Sequence, residues 1–195
     1  MLTLNKNDSV RIGAFALIAL MAATRVHHFG GAFSLPDASL PVFFLMGLLS
    51  SNPWLLGFLL LQAGLLDYLA IGQFGVSDWC ISPAYIFLIP TYAVMWAAGR
   101  YCQRSDSLAF IPLAIQFGIL MLATTSAFLI SNSSFFLLSG RFEDMLLNQY
   151  FTDVAQYYPA YLSTTLIYTC VFFAAARMFG AILTTTARKQ TSGAA

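Results

Sequence analysis

Charge is what this sequence has least of. Of its 195 residues only 9% are charged, against about a quarter in an ordinary soluble domain. So few ionic groups cannot cover a water-facing globule of this size, and the natural solvent for most of the chain is lipid. The net charge is +1, without the clustered Lys and Arg face that nucleic acid requires, so no nucleic-acid partner is expected. Three cysteines, Cys80, Cys102 and Cys170, stand far apart. They form no CxxC, no zinc spacing and no even-numbered disulfide framework. Nucleotide and hydrolase signatures are missing as well. There is no GxxxxGKS/T loop, no HExxH and no GxSxG, so nothing points to an ATPase, a zinc protease or a serine hydrolase.

What is present is apolar: 59% of the residues are hydrophobic and the mean hydropathy is +0.75. Charge-free windows divide the chain into six helices, at about residues 9–28, 39–51, 54–73, 83–101, 108–131 and 158–184. Lys6 and Arg11 followed by Ile12 to Thr24 have the outline of a signal peptide. We read them as a first membrane helix, with Arg11 and Arg25 snorkelling at its ends. Ser50-Ser51-Asn52-Pro53 carries turn chemistry and splits a long charge-free run into the second and third helices. Ser82 is expected to cap the fourth helix, with Pro83 at its first position. The first two helices are short for a crossing, which takes about 20 residues. Such helices are tolerated where they border protein or a water-filled cavity. The expected fold is a single all-α integral membrane domain, residues 1–195, with six transmembrane helices.

Orientation follows from the basic residues. With the N-terminus in the cytoplasm, Lys6, Arg11, Arg100, Arg104, Arg177, Arg188 and Lys189 lie inside, and only Arg25 and Arg141 lie outside. That is the positive-inside pattern, and it makes both termini cytoplasmic. The longer connections then face outward: Arg25 to Leu40, Gln73 to Ser82, and Ser131 to Tyr158. The last contains Arg141 to Leu147, an amphipathic stretch suited to lying across the mouth of a bundle. Long loops on a rigid scaffold are where function concentrates, so a ligand is expected on the outward face.

Several side chains there have chemistry to offer. Cys80 stands in Ser77-Asp78-Trp79-Cys80-Ile81-Ser82-Pro83, just before the fourth helix. A helix N-terminus favours the thiolate, the metal-binding form, while Asp78 opposes it; the plain alternative is a small buried hydrophobe. His27 and His28 sit at the outward end of the first helix, and imidazole is the commonest side-chain metal ligand. Neighbouring helical residues point about 100° apart, so one of the two faces a common site; both touching headgroups is the alternative. Asp67 follows 29 residues without a charge. An ionisable group in a membrane helix usually faces the bundle interior or a wet cavity. It is either an acceptor for a ligand or an ion, or a structural partner of Arg25. Tyr68, Trp79, Tyr85, Tyr150, Tyr157, Tyr158 and Tyr161 line a site at that depth or form an interfacial aromatic belt. Ala16, Ala19 and Ala23 share one face of the first helix, which suits close helix approach within the chain or to a partner.

From these residues alone, two main classes of function fit. One is a transporter or binding subunit for a small solute, including a metal-containing one. The other is a membrane redox protein using Cys80, although it lacks the resolving cysteine that thiol relays generally need. An accessory subunit whose helices only pack against partners is the third.

The size, the six helices with both ends inside, the alanine face and the Asp78-Trp79-Cys80-Ile81-Ser82-Pro83 stretch resemble the BtuM family. These are cobalamin transporters related to the substrate-binding S-components of energy-coupling factor (ECF) transporters. The resemblance covers essentially the whole chain. It implies an S-component-like bundle in the bacterial cytoplasmic (inner) membrane, binding cobalamin in a cavity open to the outside. It implies Cys80 as the axial ligand of cobalt, with His28 able to approach the other face. Trp79, Asp67 and Tyr85 become candidate contacts to the corrinoid. It also implies that the Ala16/Ala19/Ala23 face docks on an ECF coupling module; Ala19-xxx-Ala23 is a single repeat, a departure from the fuller pattern of S-components. A soft thiolate suits cobalt and labilises the ligand opposite it, so Cys80 is expected to expel cyanide from cyanocobalamin.

Overall fold

An eleven-residue helix without a single charge, α2 (Ser39–Leu49), forms the axis around which the others gather. The computed structural model describes residues 6–25, 35–79, 81–103 and 110–192. Before α2 comes α1 (Lys6–Arg25); after it come α3 (Pro53–Phe74), a short 3-10 helix (Pro83–Phe87) and α4 (Leu88–Cys102). The chain continues through α5 (Phe110–Leu138), α6 (Leu147–Ala155) and α7 (Tyr158–Ser192), with no strand among the described residues. Three stretches are long and apolar enough to cross a membrane: Pro53–Phe74, Leu113–Leu138 and Tyr158–Met178. The protein is all-helical and built for lipid.

Residues Ser39 to Gly47 are all buried, because α1, α3, α4 and α7 pack around α2. A helix of eleven residues rises only about 16 Å, and here protein surrounds it on every side. Its closest neighbour is α4, and glycine makes that approach possible. A Cβ on Gly47 would overlap the carbonyl oxygen of Trp96, and one on Gly99 would overlap that of Phe44. The two backbones touch. Beside this contact Phe43 stacks on Tyr92, ring centroids 4.3 Å apart and nearly parallel.

The turn from α2 to α3 is built from the residues expected to break the helix. Asn52 accepts a hydrogen bond from the Trp54 amide at 3.1 Å, a side-chain N-cap, and Pro53 occupies the first turn, where its missing N–H costs nothing. Arg100 on α4 donates to the Ser51 carbonyl and lies over the Trp96 ring. Helix α3 ends at Gly75, whose φ of 65° is the left-handed conformation that glycine adopts without strain.

Three expectations need correction. Arg25 does not snorkel; only 1% of it is exposed. Ser82 makes no side-chain cap, and Pro83 opens a 3-10 helix that passes into α4 at Leu88. The fifth helix does not stop near residue 131 but runs to Leu138. Its polar residues are absorbed locally: Asn132 donates to the Phe128 carbonyl at 2.9 Å and Ser134 to that of Ser131 at 2.9 Å. The stretch from Arg141 to Leu146 is not helical, and α6 begins after it. Following Gly140 (φ 67°), Phe142 inserts among Phe135, Phe136 and Tyr150, with ring centroids 4.8–6.0 Å away. That aromatic cluster anchors the loop.

Candidate functional site

The buried charges of the described residues, Arg25 and Asp67, meet in one place. The last residue of α1, Arg25, reaches inward and holds Asp67 on α3 by two parallel bonds, Nε to Oδ1 at 2.8 Å and Nη2 to Oδ2 at 2.7 Å. Its Nη1 donates to Ser39 Oγ at 2.6 Å and to Tyr92 Oη at 2.7 Å, and Nε also reaches the Ala63 carbonyl at 3.2 Å. Tyr85, on the 3-10 helix, donates its hydroxyl to Asp67 Oδ2. Asp37 lies 3.7 Å from Arg25 and accepts from the backbone and side chain of Ser39 at 3.0 and 2.7 Å. Thr24 accepts from the Ala38 amide at 3.1 Å. Five helices therefore meet in one hydrogen-bonded knot.

The chemistry of the knot is settled by pairing. Asp67 is 6% exposed and binds a guanidinium in the two-pronged geometry that is strongest for carboxylates. Of the two roles weighed for Asp67, the structure displays the pairing with Arg25. Tyr85 turns inward to the same carboxylate. A buried arginine without a carboxylate partner would be costly, and here Nε, Nη1 and Nη2 each find an acceptor. Beside the knot a half-open cavity of about 330 Å³ lies between α3 and the start of α4, walled by Leu60, Gly64, Ile86 and Ile89.

The loop that carries the cysteine leads into the 3-10 helix. The Ile81 amide donates to the Asp78 carbonyl at 2.8 Å, and the Tyr85 amide to the Ser82 carbonyl at 2.9 Å. The Tyr85 side chain ties the 3-10 helix after this loop to Asp67 on α3, and only through Asp67 to Arg25 at the end of α1. Trp79 is 54% exposed, and the guanidinium of Arg141, from the loop after α5, lies 3.9 Å from its ring centroid. No protein-family model matches this chain, and no curated protein matches it in sequence. Cys80, His27 and His28 lie outside the described residues. Among the described residues no three His, Cys, Asp or Glu side chains gather where they would hold a metal ion. Cys102 is buried and Cys170 exposed, both as free thiols.

The aromatic candidates divide. Tyr68 and Tyr157 are exposed, as an interfacial belt would have them. Tyr158 and Tyr161 pack edge-on against Phe128, and Tyr150 belongs to the Phe142 cluster. Ala16, Ala19 and Ala23 are all exposed on α1. The sequence reading passed over Ser39, Tyr92 and Arg141. Neither Ser39 nor Tyr92 had a local signal; Tyr92 is one of two tyrosines in α4.

Proposed function

We propose that this chain takes up cobalamin across a bacterial cytoplasmic membrane, which it crosses six times with both termini inside. The observation that carries the reading is the Asp78-Trp79-Cys80-Ile81-Ser82-Pro83 stretch, which resembles the cobalt-binding loop of the BtuM family and precedes the helical segment opening at Pro83. An exposed indole beside that cysteine offers a flat apolar surface of the kind a corrin ring packs against. A cobalamin is too large for the cavity beside the knot, so in this reading it rests on the outward loops. Asp67 and Tyr85 then act beneath the ligand, holding the cysteine loop in register with the end of α1, rather than touching it.

Cys80 supplies a thiolate to one axial position of Co(III), and His28 approaches the other face. When the ligand arrives as cyanocobalamin, the thiolate sulfur donates an electron pair to cobalt and cyanide departs with the pair of the broken Co–C bond, taking a proton from water. Cobalt keeps its oxidation state. The exposed Ala16/Ala19/Ala23 face is where an ECF coupling module would dock, since small residues let helices approach closely.

The test is a visible spectrum. Purified protein mixed with cyanocobalamin is expected to lose the cyano bands as the thiolate complex forms, and Cys80→Ala is expected to keep them. An unchanged spectrum with the unaltered chain rules the proposal out. Retained binding without Cys80 would leave a corrinoid site but remove its sulfur ligand. Thiol cycling with a quinone or dithiol, and indifference to corrinoids, would favour the redox alternative. A membrane-impermeant thiol reagent is expected to label position 80 from outside intact cells; labelling only after lysis would invert the topology.

A further inference from the structure

Two cations were assigned to the outward face, Arg25 and Arg141, and the structure separates them completely. Arg25 is buried and fully committed to Asp67, Ser39 and Tyr92. Arg141 is exposed, and among the described residues nothing accepts a hydrogen bond from its guanidinium or pairs with its charge. Its position is nevertheless fixed. Phe142, the next residue, is locked among three aromatic rings, and the guanidinium carbon lies over the indole of Trp79, 3.9 Å from its centroid. A stacked guanidinium keeps its N–H edge free, because stacking uses the face of the group and hydrogen bonding uses the rim. Held on Trp79, the residue before Cys80 in sequence, Arg141 carries the fork of donors that fits two oxygens of one anionic group. Glu143 and Asp144 line the same surface pocket as Arg141, so no wider positive field surrounds it. Arg141 is thus a local, directional anion contact rather than a general attractor.

We infer that Arg141, presented on Trp79, binds the phosphodiester of the ligand's nucleotide arm and so selects complete cobalamins over corrinoids that lack the arm. This rests on the cobalamin reading above. With Cys80 gripping cobalt, the ring is anchored at its centre, and a second contact at its periphery fixes its rotation. The phosphodiester is the one permanent anion on that periphery. A hydrogen-bonded charge pair is worth about a tenfold change in affinity or more.

The experiment titrates the purified full chain with aquocobalamin and with diaquocobinamide, which has the corrin ring and cobalt but no phosphodiester. Arg141→Gln keeps length and some hydrogen bonding while removing charge. It is expected to weaken aquocobalamin binding about tenfold and leave cobinamide affinity unchanged, with the thiolate spectrum intact for both. Arg141→Lys should recover part of the loss, and added salt should weaken cobalamin binding in the unaltered chain more than in Arg141→Gln. Equal weakening for both ligands, or no weakening for either, overturns the inference while leaving cobalamin binding in place. Failure of the unaltered chain to bind either corrinoid defeats the underlying reading instead.

Discussion

Asp67→Ala is expected to lower the stability of the folded bundle by about 3–5 kcal/mol, the usual cost of stranding one member of a buried ion pair. The guanidinium of Arg25 is 1% exposed and gives Asp67 two of its bonds. Without that carboxylate it keeps the looser pairing with Asp37 at 3.7 Å and the neutral acceptors Ser39, Tyr92 and the Ala63 carbonyl, which together replace neither of the two close bonds to Asp67. The same substitution frees the Tyr85 hydroxyl and loosens the 3-10 helix from α3. The measurement is the fraction of monodisperse protein surviving a temperature ramp in detergent. Replacing both partners, Arg25→Met with Asp67→Leu, should restore much of the loss, since apolar groups of similar volume often match a buried pair. Equal melting of Asp67→Ala and the unaltered chain would show that the pair is not what holds this end together.

Gly99→Val should be comparably damaging through an unrelated mechanism. Any Cβ at position 99 collides with the Phe44 carbonyl oxygen and sits within 2.9 Å of the Leu48 amide nitrogen. These are backbone atoms of the central helix and cannot rotate away. Overpacking a core usually costs 1–3 kcal/mol when side chains can adjust; with rigid backbone on the far side, the expected loss is about 3 kcal/mol or more. Gly47→Val should act alike from the opposite helix, against Trp96. Gly57→Ala and Gly64→Ala are the controls. Nothing lies within 4 Å of a Cβ at either place, and alanine is the better helix former by roughly 0.5–1 kcal/mol. A thermal ramp in which positions 99 and 57 respond equally would contradict the close α2–α4 contact.

Much of this architecture can be read from the chain, and what escapes does so for definite reasons. The break between α2 and α3 is legible because Ser50-Ser51-Asn52-Pro53 is local chemistry, with Asn52 capping and Pro53 starting. The reach of α5 to Leu138 is hidden, since Ser131, Asn132 and Ser134 look like a turn until their side chains are seen bonding to nearby carbonyls of the same helix. Arg25 is misjudged for a related reason. A cation at a helix end in lipid belongs at the interface by default, and only the assembled fold brings Asp67, Ser39 and Tyr92 around it. The paired partner was nonetheless nameable, because Asp67 is the sole charge in a long apolar run. Gly47 and Gly99 are two glycines among thirteen, and no local pattern distinguishes those that touch another backbone. Arg141 reads as an ordinary loop cation; its stacking on Trp79 joins segments some sixty residues apart in sequence.

The buried axis also bears on biosynthesis. A segment of eleven residues is too brief to be retained by a bilayer on its own merits, however greasy its side chains. It must enter the membrane alongside α3, through the tight Asn52 turn, and wait there until α4 arrives with Gly99 to clasp it. Translation order makes that wait brief: α4 follows α3 directly, whereas α7, which closes the remaining side, emerges last. A chain stopped before α7 would therefore leave one flank of α2 without its protein cover.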